Sequence, residues 1–248
     1  MLLNTNLAEQ HTTNFITQSI KQGALAGLPI VFGYFPIAIA YGVLAKEAGL
    51  SLSEITMMSM FVFAGASQFM AAGMVLSSAG LIEIVIATFV VNFRHFVMSF
   101  SFMNHLRHIS LKWKIPISLG LTDETFSVAS LNKKKAKETN GMWFYAAMIL
   151  VAYSAWVLGS LTGGLIGNIM PKALSQSMGV ALYAMFIALL LPSIRSEWKV
   201  GLIAFISMLV NYICANHLGI KEGWSIVIAT VLGGISGIFL LPEEEEEE

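Results

Sequence analysis

Two adjacent carboxylates, Asp123 and Glu124, lie in the stretch GLTDETF, which apolar residues approach from both sides. A second polar group, made of Asn92, Arg94 and His95, lies near the middle of another apolar stretch, TFVVNFRHFVMSFSF. The planar fork of arginine suits a carboxylate, a carboxylate suits an ammonium group or a proton, and histidine titrates near physiological pH. These residue types predict a polar site within the apolar segments, where Arg94 could bind a carboxylate, His95 could carry a coupling proton, and Asn92 is a neighbouring polar group.

A third polar stretch, FAGASQFM, contains small residues that permit close approach of backbones. A helix break at Gly65–Ser67 would point the N-terminus of a half-helix, which carries a partial positive charge, at a substrate carboxylate. The amide of Gln68 would orient the substrate. Four neighbouring apolar side chains are candidate apolar contacts, although any packed core could use them: Phe63, Phe69, Met70 and Phe93.

Each of these residues also has a purely structural interpretation. Gln68 could join helices by hydrogen bonds. Arg94 could lie near a helix end and extend to the membrane surface, or form a structural ion pair with Asp123 or Glu124. The stretch TDETF could be a helix start at the membrane surface, capped by Thr122 or Asp123.

The composition indicates a membrane protein. Of the 248 residues, 56% are hydrophobic and only 12% are charged, and the mean hydropathy is +0.73. Many apolar runs approach the roughly 20 residues that cross a bilayer core, and the absence of period-2 alternation argues against an outer-membrane barrel, which leaves helices. The net charge of −1 excludes an electrostatic nucleic-acid binder. No metal-ligand cluster, cofactor motif or nucleophile with a base is recognisable, so we expect no metal, no cofactor and no enzyme activity.

The chain divides into a polar N-terminal segment (1–22), a transmembrane domain (23–241) and an acidic tail (242–248) that we expect to be disordered. The transmembrane domain contains eight apolar segments, which are 23–45, 54–77, 81–103, 115–131, 142–167, 177–193, 198–217 and 223–241. Seven of them are long enough to span. The fourth is short and carries both acids near its middle, each of which costs about 2.5–3.5 kcal/mol at the centre of a spanning helix.

The distribution of lysine and arginine tests whether the fourth segment spans. If all eight segments cross, the basic residues of the loops divide seven against six, which is no bias. If the fourth segment enters and returns, ten basic residues share one face and only Lys21, Lys172 and Lys221 lie on the other. Ten against three fits the positive-inside rule. We therefore expect a re-entrant or broken fourth segment, with the N-terminus outside and the C-terminus inside.

Two further patterns are typical of transporters. The first segment, GLPIVFGYFPIAIAYG, is interrupted by Pro29 and Pro36, as in binding-site helices, although a kinked packing helix would show the same pattern. A faint internal match at an offset of 122 residues pairs Gly42 with Gly164. The predicted fold is all-α and polytopic, with about seven transmembrane helices, one re-entrant or broken segment and a possible inverted repeat.

Taken in order after PIAIAYGVLAKEAGLS, the stretches FVFAGASQF, FVVNFRHFVMSFS and GLTDETF resemble the AzlC family of branched-chain amino-acid exporters. The resemblance covers roughly residues 23–240. It implies a multi-pass permease of the bacterial inner membrane that works with a small AzlD-type membrane subunit of about four helices. It also implies export of leucine, isoleucine and valine, with coupling to H⁺ or Na⁺.

The sequence therefore predicts a secondary transporter subunit for hydrophobic amino acids. Arg94 or the Gly65–Ser67 backbone would bind the substrate carboxylate, and Asp123 or Glu124 would bind the ammonium group or the coupling proton. The alternative is a cation channel whose pore is lined by Asp123 and Glu124.

Overall fold

The computed structural model describes residues 2–106, 109–138 and 140–241, and these residues form helices joined by short turns and loops, without strands. The helices are α1 (Leu2–Glu47), α2 (Leu52–Phe61), α3 (Gly65–Leu76), α4 (Leu81–Met103), α5 (Leu111–Leu119), α6 (Asp123–Leu131), α7 (Gly141–Ile166), α8 (Lys172–Ser196), α9 (Trp198–Asn216) and α10 (Glu222–Leu240). The all-α prediction is confirmed. Arg107 and the acidic tail 242–248 lie outside the described residues.

Five of the described helices are long and apolar enough to cross a membrane, namely α1 from Asn14 onward, α4, α7, α9 and α10. The predicted number of seven spans is not confirmed. Helix α8 also has 25 residues. Helix α1 continues through Pro29 and Pro36, and it already includes most of the polar N-terminal segment.

Helices α1 and α7 form the centre of the molecule and run parallel. A Cβ atom on Gly23 would lie 2.1 Å from the carbonyl oxygen of Phe144, and one on Gly42 would lie 2.3 Å from that of Ser160. Early residues of α1 thus meet early residues of α7, and late residues meet late ones. The glycines allow the two backbones to touch, as small residues do in membrane helix pairs.

The parallel arrangement contradicts the inverted repeat that the sequence match suggested. Gly42 and Gly164, the residues paired by that match, do lie in direct contact. An inverted repeat, however, requires equivalent helices to run in opposite directions. The match reflects shared glycine-mediated packing of two parallel helices.

The second apolar segment folds into a helical hairpin, here called hairpin 1 (α2 and α3). On α2, Met58 accepts a hydrogen bond from the hydroxyl of Tyr41 (3.5 Å), and on α3 the ring of Phe69 lies 5.7 Å from the ring of Tyr41. Between them, at the turn, the ring of Phe63 lies 6.3 Å from that of Tyr34. The chain therefore passes Tyr41, reverses near Tyr34 and passes Tyr41 again. The prediction that this segment spans is wrong.

The physical reason for the reversal lies in the turn of hairpin 1. Phe63 adopts a left-handed backbone conformation (φ 43°), which ends α2 and redirects the chain. Gly65 then starts α3 against the indole of Trp156, which a Cβ atom would approach to 2.6 Å. Helices of 10 and 12 residues reach only about 15–18 Å, roughly half of a bilayer core.

The fourth segment forms a second hairpin, here called hairpin 2 (α5 and α6). On α5, Ser118 accepts a hydrogen bond through its carbonyl oxygen from Ser99 of α4 (2.9 Å). On α6, Phe126 contacts Phe102 of α4, whereas the turn between the two helices reaches the earlier residue Arg94. The predicted break in the fourth segment is confirmed, and the chain reverses there.

The two hairpins enter from opposite ends of the α1–α7 pair. We call the end that contains Lys21 end A and the end that contains Lys46 end B. Hairpin 1 starts at end B, where α1 finishes, and hairpin 2 starts at end A, where Trp113 packs on Trp143 at the start of α7.

The last helices return the chain to end A. The backbone N–H of Gly223 donates to Oε1 of Glu83 at the start of α4 (2.9 Å), which fixes the start of α10 at end B. Helix α10 runs antiparallel to α9, with Gly233 against Ser207. Helix α1 therefore begins and α10 finishes at the same end. The predicted arrangement, with the two termini on opposite sides, is wrong because hairpin 1 returns instead of crossing.

Candidate functional site

The tips of the two hairpins meet beside Tyr34, in the middle of α1. The hydroxyl of Tyr34 lies 2.5 Å from Oγ1 of Thr122 and donates to Oε2 of Glu124 (2.5 Å). Between the tips lies a cavity of about 20 Å³, here called the polar pocket. Its lining residues are Tyr34, Phe63, Gly65, Ala66, Arg94, His95, Thr122, Asp123, Glu124 and Trp156.

Arg94 and Asp123 form an ion pair at the pocket. Nη1 of Arg94 lies 2.8 Å from Oδ2 of Asp123, and the two side chains are 33% and 27% exposed. The Nε atom of Arg94 is buried and has no hydrogen-bond partner among the described residues. The guanidinium therefore retains an unused donor, and the expected counter-ion of Arg94 is confirmed as Asp123.

His95 presents a free acceptor at the same place. Its Nδ1 lies 2.9 Å from the carbonyl oxygen of Leu121. Because a carbonyl only accepts, Nδ1 carries a hydrogen, and in the neutral ring Nε2 is then an acceptor. Nε2 is buried without a partner among the described residues, and so is Oδ1 of Asn92, one turn earlier. Unpaired buried polar atoms are rare in native proteins and call for a functional explanation.

The start of α6 explains the stretch GLTDETF. Thr122 is the N-cap, and its hydroxyl accepts from the N–H of Thr125. In return, the hydroxyl of Thr125 accepts from the N–H of Thr122 (2.7 Å) and donates to the carbonyl of Gly120 (3.0 Å). Asp123 and Glu124 therefore occupy the first turn, where a helix stabilises negative charge. The expected cap at Thr122 is confirmed, but it lies at the centre of the molecule and not at an end.

The start of α3 faces the same pocket without a cap. Ala64 provides no side-chain hydrogen bond to the first turn, and the first N–H groups of a helix have no intrahelical partner. In the described part of the chain, no acceptor meets the N–H groups of Gly65 and Ala66, which line the polar pocket. A helix break beside Gly65–Ser67 is therefore present, and the N-terminus of α3 lies at the polar pocket, while its binding of a substrate carboxylate stays a prediction.

Gln68 and Ser67 lie behind this helix start, where Gln68 holds hairpin 1 against α7 and Ser67 bonds within hairpin 1. Oε1 of Gln68 accepts from Nε1 of Trp156 (2.8 Å), and Nε2 donates to Oγ of Ser59 (3.0 Å). The hydroxyl of Ser67 donates to the carbonyl of Ala64 (3.0 Å). Both side chains are fully buried, and neither lines the polar pocket. Their contacts match the structural interpretation of helix joining.

A larger cavity of about 760 Å³, here called the apolar cavity, lies next to the polar pocket. It is bounded by the tip of hairpin 1, α4, α5 and α7, and it shares Phe63 and His95 with the polar pocket. Of the four predicted apolar contacts, only Phe63 lines a cavity. Phe69 is buried against Tyr41, Phe93 is 53% exposed, and Met70 lines neither cavity.

Sequence reasoning did not single out Tyr34 or Trp156. Tyr34 is almost fully buried and contacts both hairpin tips. A signal existed, because Tyr34 is the polar residue between Pro29 and Pro36. Trp156 carries no comparable local signal, since its role depends on Gln68, 88 residues earlier.

Comparison with known proteins places this site in a family. The family described as "AzlC protein" matches residues 29–170, more than half of the chain. The chain belongs to the AzlC family. The region that matches the AzlC family runs from α1 to the end of α7, and it includes both hairpins and every residue that lines the polar pocket.

Relatives of this AzlC-family chain come from bacteria and archaea. It is 33% identical to an uncharacterized membrane protein of Archaeoglobus fulgidus over 71% of the chain and 77% of that protein. It is 30% identical to the inner membrane protein YgaZ of Escherichia coli (72% and 75% covered) and 28% identical to the branched-chain amino acid transport protein AzlC of Bacillus subtilis (69% and 66% covered). No solved structure matches the chain. The chain is a multi-pass membrane protein of a transport-associated family, which suggests that it is not an enzyme.

Proposed function

We propose that this AzlC-family chain is a secondary transporter subunit that exports branched-chain, hydrophobic amino acids across the bacterial inner membrane. The observation that carries the proposal is the pairing of opposite charges in one pocket. Arg94 and the uncapped start of α3 offer donors for a carboxylate, and Asp123 and Glu124 offer acceptors for an ammonium group. The names of the relatives from Bacillus subtilis and Escherichia coli support the substrate class and the membrane.

The ion pair gives the transport cycle a chemical basis. Arg94 and Asp123 neutralise each other in this conformation, so a zwitterion must compete with the pair to bind. The carboxyls of Asp123 and Glu124 and the free Nε2 of His95 are the groups of this site that exchange protons. We therefore propose that transport is coupled to H⁺, with Na⁺ as the other candidate ion. The proposal also includes a small AzlD-type membrane subunit as partner.

The orientation follows from the corrected arrangement of the helices. Nine basic residues lie at end A, which are Lys21, Lys112, Lys114, Lys133, Lys134, Lys135, Lys137, Arg195 and Lys199, and three lie at end B, which are Lys46, Lys172 and Lys221. The positive-inside rule then assigns end A to the cytoplasm. The alternative of a cation channel gains no support, because each carboxylate already has a partner and the pocket holds about 20 Å³.

Exchange of either charged partner tests the proposal. We expect Arg94→Gln and Asp123→Asn each to reduce leucine efflux from loaded cells at least about tenfold, since loss of a hydrogen bond to a charged group costs roughly 1.5–3 kcal/mol. A matched control is the ion pair Lys135–Glu138 (3.0 Å), which lies at end A. Lys135→Gln should leave efflux unchanged. Normal efflux in both pocket variants, with normal amounts of inserted protein, would contradict the proposal.

A further inference from the structure

The polar pocket is too small for an amino acid in this conformation. A volume of about 20 Å³ is close to the space that one water molecule needs, about 10–15 Å³ on the same scale. The substrate's side chain therefore requires a second space that opens onto the pocket. The apolar cavity is adjacent to it, and Phe63 and His95 form part of both walls.

The apolar cavity is far larger than a branched side chain requires. A cavity of roughly 150 Å³ already accommodates benzene, and this one has about 760 Å³, within the range of roughly 300–1,000 Å³ for small-molecule sites. Aromatic rings form much of its wall, namely those of Phe61, Phe63, Phe96, Trp113 and Tyr153. Such walls suit large flat side chains through edge-to-face packing.

One wall of the apolar cavity carries three polar side chains that could orient a bound substrate, whereas the hydroxyls of Ser118 and Tyr153 on other walls already donate to backbone carbonyls. Asn92, His95 and Ser99 follow one face of α4 at helical spacing and line the apolar cavity. Ser99 is already bonded to Ser118, whereas Oδ1 of Asn92 and Nε2 of His95 have no partner within the described part of the chain. Both are acceptors, and they lie at the boundary with the polar pocket, where the charged head group would bind.

We propose that the apolar cavity is the side-chain subsite of this transporter and that it admits phenylalanine and tryptophan as well as branched-chain amino acids. The inference rests on the proposed function, because it takes the polar pocket as the site of the zwitterionic head group. The adjacency of the two cavities, which share Phe63 and His95 as lining residues, favours a substrate side chain over a lipid chain as the occupant. The rim at Phe61, Leu119 and Leu150 is exposed and forms the access to the cavity.

The test fills the cavity and compares substrates of different size. Ala146 lines the apolar cavity, and the neighbouring Ala147, equally half-buried, does not. In cells that contain the complete transport system, we expect Ala146→Phe to lower phenylalanine and tryptophan efflux at least about tenfold, as occlusion of a pocket does, with valine efflux nearly unchanged. Ala147→Phe should leave the ratio of the substrates unchanged.

A second pair of variants keeps the test valid if Ala146→Phe fails to fold. Leu119 lines the cavity and Leu131 does not, and both are strongly exposed (76% and 86%). Leu119→Trp should reproduce the selective loss, and Leu131→Trp should not. Equal loss of valine and phenylalanine efflux, or an unchanged ratio, would show a lipid-filled or structural cavity and overturn this inference.

The wild-type chain separates the inference from the proposed function. Leucine efflux without any phenylalanine or tryptophan efflux would overturn the inference alone. Absence of efflux of every amino acid would overturn the proposed function, and the inference with it.

Discussion

Tyr34 connects the two hairpins, with its hydroxyl on one and its ring on the other. The hydroxyl is shared between Thr122 and Glu124 of hairpin 2, while the ring packs against Phe63 of hairpin 1 and, at 5.3 Å, against Trp156. A carboxylate that accepts from a buried hydroxyl gains more than a neutral pair would. Tyr34 therefore positions Glu124 as an acceptor in the polar pocket.

Loss of this hydroxyl should impair transport through Glu124. We expect Tyr34→Phe to lower leucine efflux by roughly tenfold or more, since hydrogen bonds to charged groups contribute about 1.5–3 kcal/mol. In a Glu124→Gln background the same substitution should have a smaller effect, because the charged acceptor is already gone. Leucine efflux measured in the wild type, the two single variants and the double variant gives the coupling free energy between Tyr34 and Glu124.

Tyr41→Phe is the matched control for this cycle. Tyr41 lies two turns further along α1, and its hydroxyl donates to the thioether of Met58 (3.5 Å), away from the polar pocket. It should behave like the wild type. Equal effects of Tyr34→Phe in both backgrounds would refute a role through Glu124.

Individual residues were predicted where one local stretch held enough information. Arg94, His95, Asp123 and Glu124 are costly in lipid wherever they lie, so their presence in apolar runs identified them as site candidates. Gln68 is equally unusual in sequence, yet the structure buries it between Ser59 and Trp156. Gln68 has a structural role because α7 places Trp156 opposite its amide. The apolar run around Gln68 contains no information about this distant partner.

The glycine seam between α1 and α7 determines how closely the hairpins are held. Gly23, Gly42 and Gly163 each lie so near the opposite backbone that an added Cβ would come within 2.1–2.3 Å of a carbonyl oxygen. Both hairpins pack against this pair of helices. The separation of α1 and α7 therefore sets the position of both hairpin tips.

A single methyl group in the seam should destabilise the protein. We expect Gly42→Ala to lower the free energy of unfolding by about 1–3 kcal/mol, because overpacking forces the backbones apart. Gly33→Ala, also on α1, is the control, since nothing lies within 4 Å of its added Cβ. Thermal unfolding of the purified protein in detergent measures both, and equal melting temperatures would contradict the close contact.

The sequence predicted hairpin 2 and missed hairpin 1, because only hairpin 2 has charged residues at its turn. In the fourth segment, the two acids and a strong N-cap made a full crossing costly. In the second segment the reversal depends on Phe63, Ala64 and Gly65, which are apolar or small and carry no such cost. Hydropathy therefore could not distinguish hairpin 1 from a span.

The whole molecule brings two half-helix starts, from α3 and α6, to one point from opposite ends. This arrangement requires hairpin 1 to open toward end B and hairpin 2 toward end A. It places Lys112 and Lys134 together at end A, as the sequence predicted, and it also brings Lys21 there, which the sequence did not predict.

Cysteine labelling in intact cells tests this arrangement. Because the only cysteine is Cys214, a Cys214→Ala background leaves single introduced cysteines to be read individually. Lys21→Cys, Lys112→Cys and Lys134→Cys should resist an impermeant reagent added from outside, and Lys221→Cys should react. Reaction of Lys21→Cys from the same side as Lys221→Cys would refute the shared end.

The bond between Gln68 and Trp156 also has a consequence for biogenesis. The two residues are 88 positions apart, so at a synthesis rate of about 5–20 residues per second Gln68 is made roughly 4–18 s before its partner. During that interval the amide of Gln68 has partners within hairpin 1, because Nε2 donates to Ser59 and Oε1 accepts from the N–H of Ala64 (3.3 Å). Hairpin 1 can therefore form before α7 is made, and the indole of Trp156 then adds the last donor to an amide that is already oriented.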